Sequence, residues 1–183
     1  MAYEECFDNS LGEDAWDPFC AIEDGLCFAH LTRNGLRGSK KDKFVVGCTP
    51  NCTEENYSFT TVDGYLQTIR ECCADFLCND EIHDTDIERV RNRRKCEACR
   101  ASGSEGCPDL ETISCYGNET QCISFVLVHN NSLVPDVSYK GCATPSFCEL
   151  ARTSPYNGYF LGTITQARCC DTLPSPQPLN FEG

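Results

Sequence analysis

The cysteines constrain this chain more than any other feature, because 17 of its 183 residues are cysteine. In a short chain, such a content is typical of a disulfide scaffold. Cytosolic thiols are kept reduced, so we expect an oxidising environment and a secreted, extracellular protein. Met1 is followed by acidic residues and not by a basic and then an apolar stretch, so we interpret it as an added start or the edge of a mature chain.

The cysteines fall into two sets with similar spacing, which indicates an internal repeat. Each set has a long gap, a short gap, a second long gap and then an adjacent Cys-Cys pair. The first set is Cys6, Cys20, Cys27, Cys48, Cys52, Cys72, Cys73 and Cys78, followed by Asn79. The second set is Cys96, Cys99, Cys107, Cys115, Cys122, Cys142, Cys148, Cys169 and Cys170. The repeat predicts two domains.

A charged interval without cysteine, residues 81–95, separates the two sets. Such a run is most simply a solvated linker. We therefore predict domain 1 at residues 1–80, the linker at 81–95, and domain 2 at 96–183 with a proline-rich tail. A core of this size alone rarely supplies more than a few kcal/mol, so each domain needs covalent staples.

The long gaps between cysteines are typical of β-hairpins. Asn-Gly and Asp-Gly pairs favour the type I′ turns that join antiparallel strands. No helical periodicity competes, apart from a short stretch of the linker, so the sequence predicts an all-β fold. The predicted turns contain Asn34-Gly35, Asp63-Gly64 and Asn157-Gly158, and a loop is predicted around Pro135.

The motifs argue against a metal centre or a cofactor. A zinc protein with many cysteines needs repeated C-x2-C pairs or matched histidines, because four ligands must converge on one ion. A single C-x2-C pair occurs, Cys96 and Cys99, and the histidines are far apart in the sequence. No D-x-D-x-D-G calcium loop is present. The acids around Trp16 are most simply a solvated finger, with Trp16 a core residue or an exposed anchor.

The net charge of −13 argues against nucleic acid and anionic membranes as partners and fits a cationic protein target. No apolar run approaches the roughly 20 residues that span a bilayer, so we expect no membrane insertion. The sequence supplies no nucleophile, base and orienting group together. We therefore predict that the chain is not an enzyme.

The first cysteine set, with its closing motif CC-x4-C-N, resembles the three-finger fold of snake toxins and of urokinase-receptor-type domains. Spacing alone leaves many connectivities open. The resemblance implies the bridges Cys6–Cys27, Cys20–Cys48, Cys52–Cys72 and Cys73–Cys78.

The second set is similar to the second domain of gamma-type phospholipase A2 inhibitors. The segments ISCYGNETQCISF and SYKGCATPSFCEL carry this similarity, and KCEAC supplies the additional finger-one cysteine pair typical of urokinase-receptor-type domains. The fold it implies is all-β and disulfide-rich, with two tandem three-finger domains. The implied bridges are Cys96–Cys122, Cys99–Cys107, Cys115–Cys142 and Cys148–Cys169.

The chain departs from the family pattern in two places. Its first domain lacks the extra cysteine pair of finger one, and in its second domain Ser175 stands where the last cysteine would be. Cys170, or else Cys169, is therefore left unpaired. An odd cysteine in a secreted chain is a capped remnant of a lost bridge, which we favour, or forms an intermolecular bond.

Two modifications are predicted from short motifs. N-x-S/T sequons at Asn118, Asn130, Asn56 and Asn51 predict N-glycosylation, and the first two lie in predicted loops. The linker segment RNRR at residues 91–94 has the form that furin-like proteases cut, although a solubilising linker is the interpretation we favour.

The resemblance implies a secreted protein-binding protein, and our leading hypothesis is an inhibitor of secreted phospholipase A2 that occludes the enzyme with its fingers. One alternative is a signalling protein similar to sodefrin-precursor-like pheromones. Another is a cell-surface receptor or adhesion protein of the urokinase-receptor superfamily. A toxin-like receptor ligand acting through the cationic tip Thr32–Lys43 is disfavoured by the acidic remainder. The resemblance also implies a homo-oligomer, and the residues that contact the target stay unassigned.

Overall fold

The computed structural model describes residues 4–9, 19–22, 25–36, 41–83, 89–129, 131, 133–153, 162–171 and 173–174. Most of these residues are in strands, as the sequence predicts. Their contacts divide the chain into unit 1, Met1–Ser58 with Tyr65–Ile87, and unit 2, Phe59–Gly64 with Glu88–Gly183. No helix within the described ranges has the length and apolar character needed to cross a membrane.

The strands and the helix follow one another along the chain. They are β1 (Glu4–Phe7), β2 (Phe19–Ile22), β3 (Leu26–Asn34), β4 (Lys41–Thr49), β5 (Glu55–Thr61), β6 (Gly64–Cys73), β7 (Arg91–Ser102), β8 (Glu111–Tyr116), β9 (Gln121–His129), β10 (Val137–Ala143), α1 (Pro145–Thr153), β11 (Gly162–Asp171) and β12 (Leu173–Pro174).

Unit 1 is built on the central strand β3, which pairs antiparallel with β4 on one side and β6 on the other. β5 pairs with β6, and β1 pairs separately with β2. Two of the predicted turn dipeptides, Asn34-Gly35 and Asp63-Gly64, lie where strands end or begin. Asn34 ends β3 and its Oδ1 accepts the N–H of Leu36 at 3.1 Å. Gly64 begins β6 with a φ of 136°, a conformation that residues other than glycine rarely adopt.

Asn79, the last residue of the CC-x4-C-N motif, is buried in unit 1. Its side-chain amide donates to the carbonyl oxygens of Phe7 at 2.9 Å and Phe28 at 3.1 Å. Its Oδ1 accepts the N–H of Phe7 at 3.0 Å. Asn79 therefore links β1 to β3 through hydrogen bonds. This role explains why the motif ends in asparagine.

Unit 2 contains the strand order β8–β7–β10–β9–β11, with β12 added to β7. Its segment Phe59–Gly64 includes the end of β5, where Thr60 and Phe59 pair with Cys142 and Ala143 of β10. Gly141 makes this approach possible, because a β-carbon there would overlap the carbonyl oxygen of Thr60.

Four aromatic rings pack against one another in the core of unit 2. Phe59 stacks on Phe147 at 5.6 Å between ring centroids and meets Phe125 edge-on at 5.2 Å. Phe125 also stacks on Tyr139 at 5.4 Å. Such pairs add about 0.5–1.5 kcal/mol each beyond the burial of their area.

A buried ion pair joins Arg89 to Glu119 in unit 2. Arg89 Nη1 lies 3.6 Å from Glu119 Oε1, and its guanidinium lies 4.7 Å from the centre of the Tyr116 ring. Glu119 also accepts the hydroxyl of Thr60 at 2.6 Å and the N–H of Tyr116 at 3.0 Å. Glu119 is fully buried, so these donors replace its hydration.

The sequence did not predict the helix α1, which is short and leaves the described residues mostly in strands. Thr144 caps it: its Oγ1 accepts the N–H of Phe147 at 3.2 Å, and Pro145 occupies the first helical position. Phe147 and Ala151 face the core, at the spacing of one helical turn. The helix occupies the start of a cysteine gap in which the sequence predicts a hairpin.

Strand β7 begins at Arg91, within the interval 81–95 that the sequence predicts as a linker. Arg91 pairs with Tyr116 of β8, and Asn92 donates to the carbonyl oxygens of Gly117 at 2.9 Å and Glu119 at 3.0 Å. Lys95 pairs with Ser114 of β8, so both ends of the basic stretch are held against β8. The boundaries of the two sequence domains stay a prediction.

Candidate functional site

The tip of the β9–β10 hairpin carries the most exposed apolar side chain among the described residues. Leu133 is 89% exposed, and its neighbour Val134 is 42% exposed. We call Leu133 and Val134 the apolar tip. Seven residue pairs, from Val137 opposite Leu127 to the base of the hairpin, hold the two strands together. The apolar tip therefore ends a well-paired hairpin.

Asn131 gives the apolar tip a fixed turn. Its Oδ1 accepts the N–H of Leu133 at 3.0 Å, and its carbonyl oxygen accepts the N–H of Val134 at 2.9 Å. A side-chain bond to the backbone two residues on is the turn that asparagine favours. Near the start of β10, Gly103 donates its N–H to the carbonyl of Asp136 at 2.7 Å. A turn ordered in advance loses less entropy when it binds.

The chemistry of the apolar tip is binding. Single exposed apolar residues are common, but two adjacent ones on an ordered turn form a compact patch. Burying a leucine side chain contributes about 1.5–3 kcal/mol. Leu133 and Val134 carry no group that transfers a proton or attacks a carbonyl, so the patch can bind a partner but not transform it.

The structure has eight disulfides, and each joins two cysteines that the family resemblance pairs. Cys170 is the free cysteine and is exposed, whereas Cys169 is bridged to Cys148. In the β11–β9 ladder Cys170 lies opposite Cys122, and its Sγ is 3.9 Å from the carbonyl oxygen of that residue. The free thiol thus lies beside the Cys96–Cys122 bridge.

Three sequon asparagines are described, and Asn51, Asn56 and Asn118 are all exposed. Asn118 lies in the turn between β8 and β9, beside the buried Glu119. Outside the described residues lie Asn130, Trp16, Ser175, Asn157-Gly158 and residues 37–40 of the cationic tip.

Three groups of cysteine sulfurs lie close enough to surround one ion, with their atoms within 4.8 Å of one another. Every cysteine in these groups is bonded in a disulfide. A zinc site needs thiolates, which a disulfide does not offer. The close approach of these sulfurs is therefore the packing of the disulfide knot. The groups are Cys6, Cys20 and Cys48; Cys27, Cys73 and Cys78; and Cys96, Cys115 and Cys142.

The sequence profile of the u-PAR/Ly-6 domain matches residues 4–81 and 92–175. The chain belongs to the u-PAR/Ly-6 family. Domains of this family have a three-finger fold, so the predicted fold class is confirmed.

Curated relatives confirm the resemblance to phospholipase A2 inhibitors. The 25 kDa chain of the phospholipase A2 inhibitor of Naja kaouthia is 34% identical over 182 residues, which cover 96% of this chain and 97% of that protein. A gamma-type phospholipase A2 inhibitor chain of Laticauda semifasciata is 36% identical over 155 residues, 80% of this chain and 83% of that protein.

Two further similarities are more distant. Ly6/PLAUR domain-containing protein 8 of Bos taurus is 27% identical over 140 residues, 70% of this chain and 59% of that protein. The crystal structure of mouse TEX101 covers 92% of this chain and 95% of its own, at a TM-score of 0.34 and 20% identity.

Proposed function

We propose that this chain is a secreted, non-enzymatic binding protein that inhibits a secreted phospholipase A2. The support is the similarity along nearly the whole chain to proteins named as inhibitors of that enzyme. Inhibition would be by occlusion, with the fingers covering the face or the active-site mouth of the enzyme. The observation that favours a finger contact is the apolar tip, an exposed leucine on an ordered turn.

The negative charge of the chain favours binding of basic phospholipases over acidic ones. The net charge is −13, so a basic enzyme is attracted and an acidic one is repelled during diffusional encounter. We therefore expect preference for basic phospholipases and association that slows as salt rises.

The test is hydrolysis of phospholipid vesicles by a panel of basic and acidic secreted phospholipases, with the chain in micromolar excess. We expect suppression of at least one basic enzyme. Suppression of none would overturn the proposed function.

A matched pair of variants tests the contact surface. Leu133→Asp puts a charge on the apolar tip and should weaken inhibition by about thirty-fold, the effect of losing a hot spot of about 2 kcal/mol. Leu110→Asp changes another exposed leucine of unit 2 and should leave inhibition unchanged. If the wild-type chain and both variants inhibit the phospholipase equally well, the apolar tip does not contact the enzyme.

Glycosylation, oligomerisation and the state of Cys170 belong to the same proposal. We propose glycans on Asn51, Asn56, Asn118 and Asn130, and deglycosylation should increase electrophoretic mobility. Non-reducing electrophoresis distinguishes the two fates of Cys170. A capped thiol leaves a monomer band, and a bond between copies gives a dimer band that Cys170→Ser removes.

A further inference from the structure

Unit 2 has a cleft at the surface of its sheet. The cleft has a volume of about 230 Å³ and lies over strands β10, β9 and β11. One wall is the loop at residues 104–107, which the Cys99–Cys107 bridge closes. The N–H of Gly106 lies 3.3 Å from the hydroxyl of Ser138, which donates to the carbonyl of Gly103 at 2.7 Å. The wall is therefore fastened to the sheet.

Two cations and a hydroxyl form one row across the floor of this cleft. Ser124 of β9 lies opposite Lys140 of β10 and opposite Arg168 of β11. Residues that are opposite one another in a ladder project from the same face. All three line the cleft. Phe125 and Tyr139, their neighbours in sequence, also line it, and the rings of these two stack on each other. The cleft thus has a positive side chain on each side of a central hydroxyl.

Basic residues are scarce in this part of the chain. After Lys95 the sequence contains four, and two of them, Lys140 and Arg168, line this cleft. The other two have partners elsewhere: Arg100 lies 3.3 Å from Asp63, and Arg152 donates to the carbonyl of Cys169 at 3.1 Å.

Within the part of the chain that the structure describes, neither cation of the cleft is neutralised by a neighbouring acid. Among the described residues, no carboxylate lies within ion-pair distance of Lys140 or Arg168. Glu105, an exposed acid in the wall of the cleft, is also beyond ion-pair distance of both cations. Both cations can therefore bind an acid that comes from outside.

We propose that this cleft binds one carboxylate, the side chain of an aspartate or glutamate presented by a protein partner. Lys140 and Arg168 would ion-pair with it from two sides, and the hydroxyl of Ser124 would donate to it. The proposal goes beyond phospholipase inhibition and holds for any protein partner that presents an acid to this face.

The charge of the whole chain favours a single carboxylate over a polyanion. A net charge of −13 repels nucleic acid, sulfated polysaccharide and anionic lipid surfaces that approach within the screening length, about 10 Å at 0.1 M salt. A single acidic side chain is repelled far less and interacts with the two cations at contact distance. The volume of about 230 Å³ also suits a side chain and not a polymer.

The test is an NMR titration of the ¹⁵N-labelled full chain with a blocked Gly-Glu-Gly peptide. The amide signals of Ser124, Lys140 and Arg168 should shift and saturate. The matched Gly-Gln-Gly peptide should cause no such shifts, because it lacks the charge. Inorganic phosphate is the third probe. Binding of phosphate but not of the glutamate peptide, or equal binding of both peptides, would overturn the proposal.

Variants locate the binding. Lys140→Gln and Arg168→Gln should each weaken glutamate-peptide binding about two- to five-fold, as expected for one exposed ion pair. Arg168→Lys should retain most of it. Lys95→Gln changes an exposed cation of unit 2 outside the cleft and should have no effect. If a cleft variant fails to fold, Ser124→Ala gives the same test with a smaller change. Binding unaltered in all cleft variants contradicts the assignment, and phospholipase inhibition is measured separately.

Discussion

At the scale of single residues, Glu119 lies fully buried in unit 2 and accepts hydrogen bonds from Thr60 and Tyr116 beside its ion pair with Arg89. A buried charge is tolerated only when its partners replace water. Removing one member of such a pair leaves the other uncompensated. Sequence inspection alone could not find this network, because Glu119 appears there only as the middle residue of a glycosylation sequon.

Glu119→Gln should lower the free energy of unfolding by about 3 kcal/mol, since it leaves the Arg89 charge without its carboxylate. The measurement is equilibrium unfolding in guanidinium chloride with the disulfides intact. Glu111→Gln is the control, because Glu111 is an exposed acid on β8 and should change stability by less than about 0.5 kcal/mol. Equal effects of the two substitutions would mean that the buried pair adds nothing.

His30 makes unit 1 sensitive to acid. Burial lowers the pKa of His30 below its ordinary value of 6.5; Glu55 opposes the shift, and Arg70 and Lys43 add to it. A lowered pKa means that the unfolded chain binds the proton more readily than the folded chain. Stability from this group is therefore fully present above about pH 6.5 and falls as the pH drops towards the folded pKa.

We expect the midpoint of denaturant unfolding to fall between pH 7 and pH 5, and His30→Gln to flatten this dependence. His83→Gln, which changes an exposed histidine of unit 1, should keep the wild-type slope. A slope that His30→Gln leaves unchanged would assign the acid sensitivity to other groups.

At the scale of strands and helices, the cysteine spacing and the turn dipeptides predicted most of the β-hairpins. They failed at α1, because Cys148 begins a long gap of the kind that forms hairpins elsewhere in the chain. The signal that was present is Thr144-Pro145, a capping residue followed by proline at the first helical position. The apolar tip could be placed in a loop, but the exposure of Leu133 depends on which strand residues reach the core.

Strand β7 should protect the RNRR sequence from furin-like proteases. A protease needs an extended segment that is free of pairing. Here Arg91 and Lys95 pair with β8, and the Asn92 side chain donates to the turn after β8. We expect the native chain to stay intact on incubation with such a protease. The reduced and alkylated chain should be cut after Arg94. Cleavage of the native chain at the same rate would show that the start of β7 opens readily.

At the scale of the whole molecule, unit 2 is discontinuous in sequence, because Phe59–Gly64 contributes to it from within the first cysteine set. The spacing of cysteines places this segment in the first domain, and no local signal assigns it elsewhere. Its membership of unit 2 is a tertiary property that depends on Phe125, Tyr139 and Phe147 meeting Phe59.

Phe59→Ala should lower the free energy of unfolding by about 3–5 kcal/mol, as expected when a buried phenylalanine leaves a cavity. Phe76→Ala removes a ring that is 65% exposed and should cost less than about 0.5 kcal/mol. Thermal and denaturant unfolding of both variants measure the difference. Similar losses from both would contradict the role of Phe59 in the core.

The discontinuity of unit 2 limits how the two cysteine sets can be separated during evolution. A recombination event that carried off only the second cysteine set would lose Phe59 and leave the remaining three rings around a gap. A chain that inherited only the first cysteine set would keep Phe59 but lose the three rings that pack around it. We therefore expect the two repeats to be duplicated, exchanged and lost together, as a single cassette, even though their cysteines look like two independent copies.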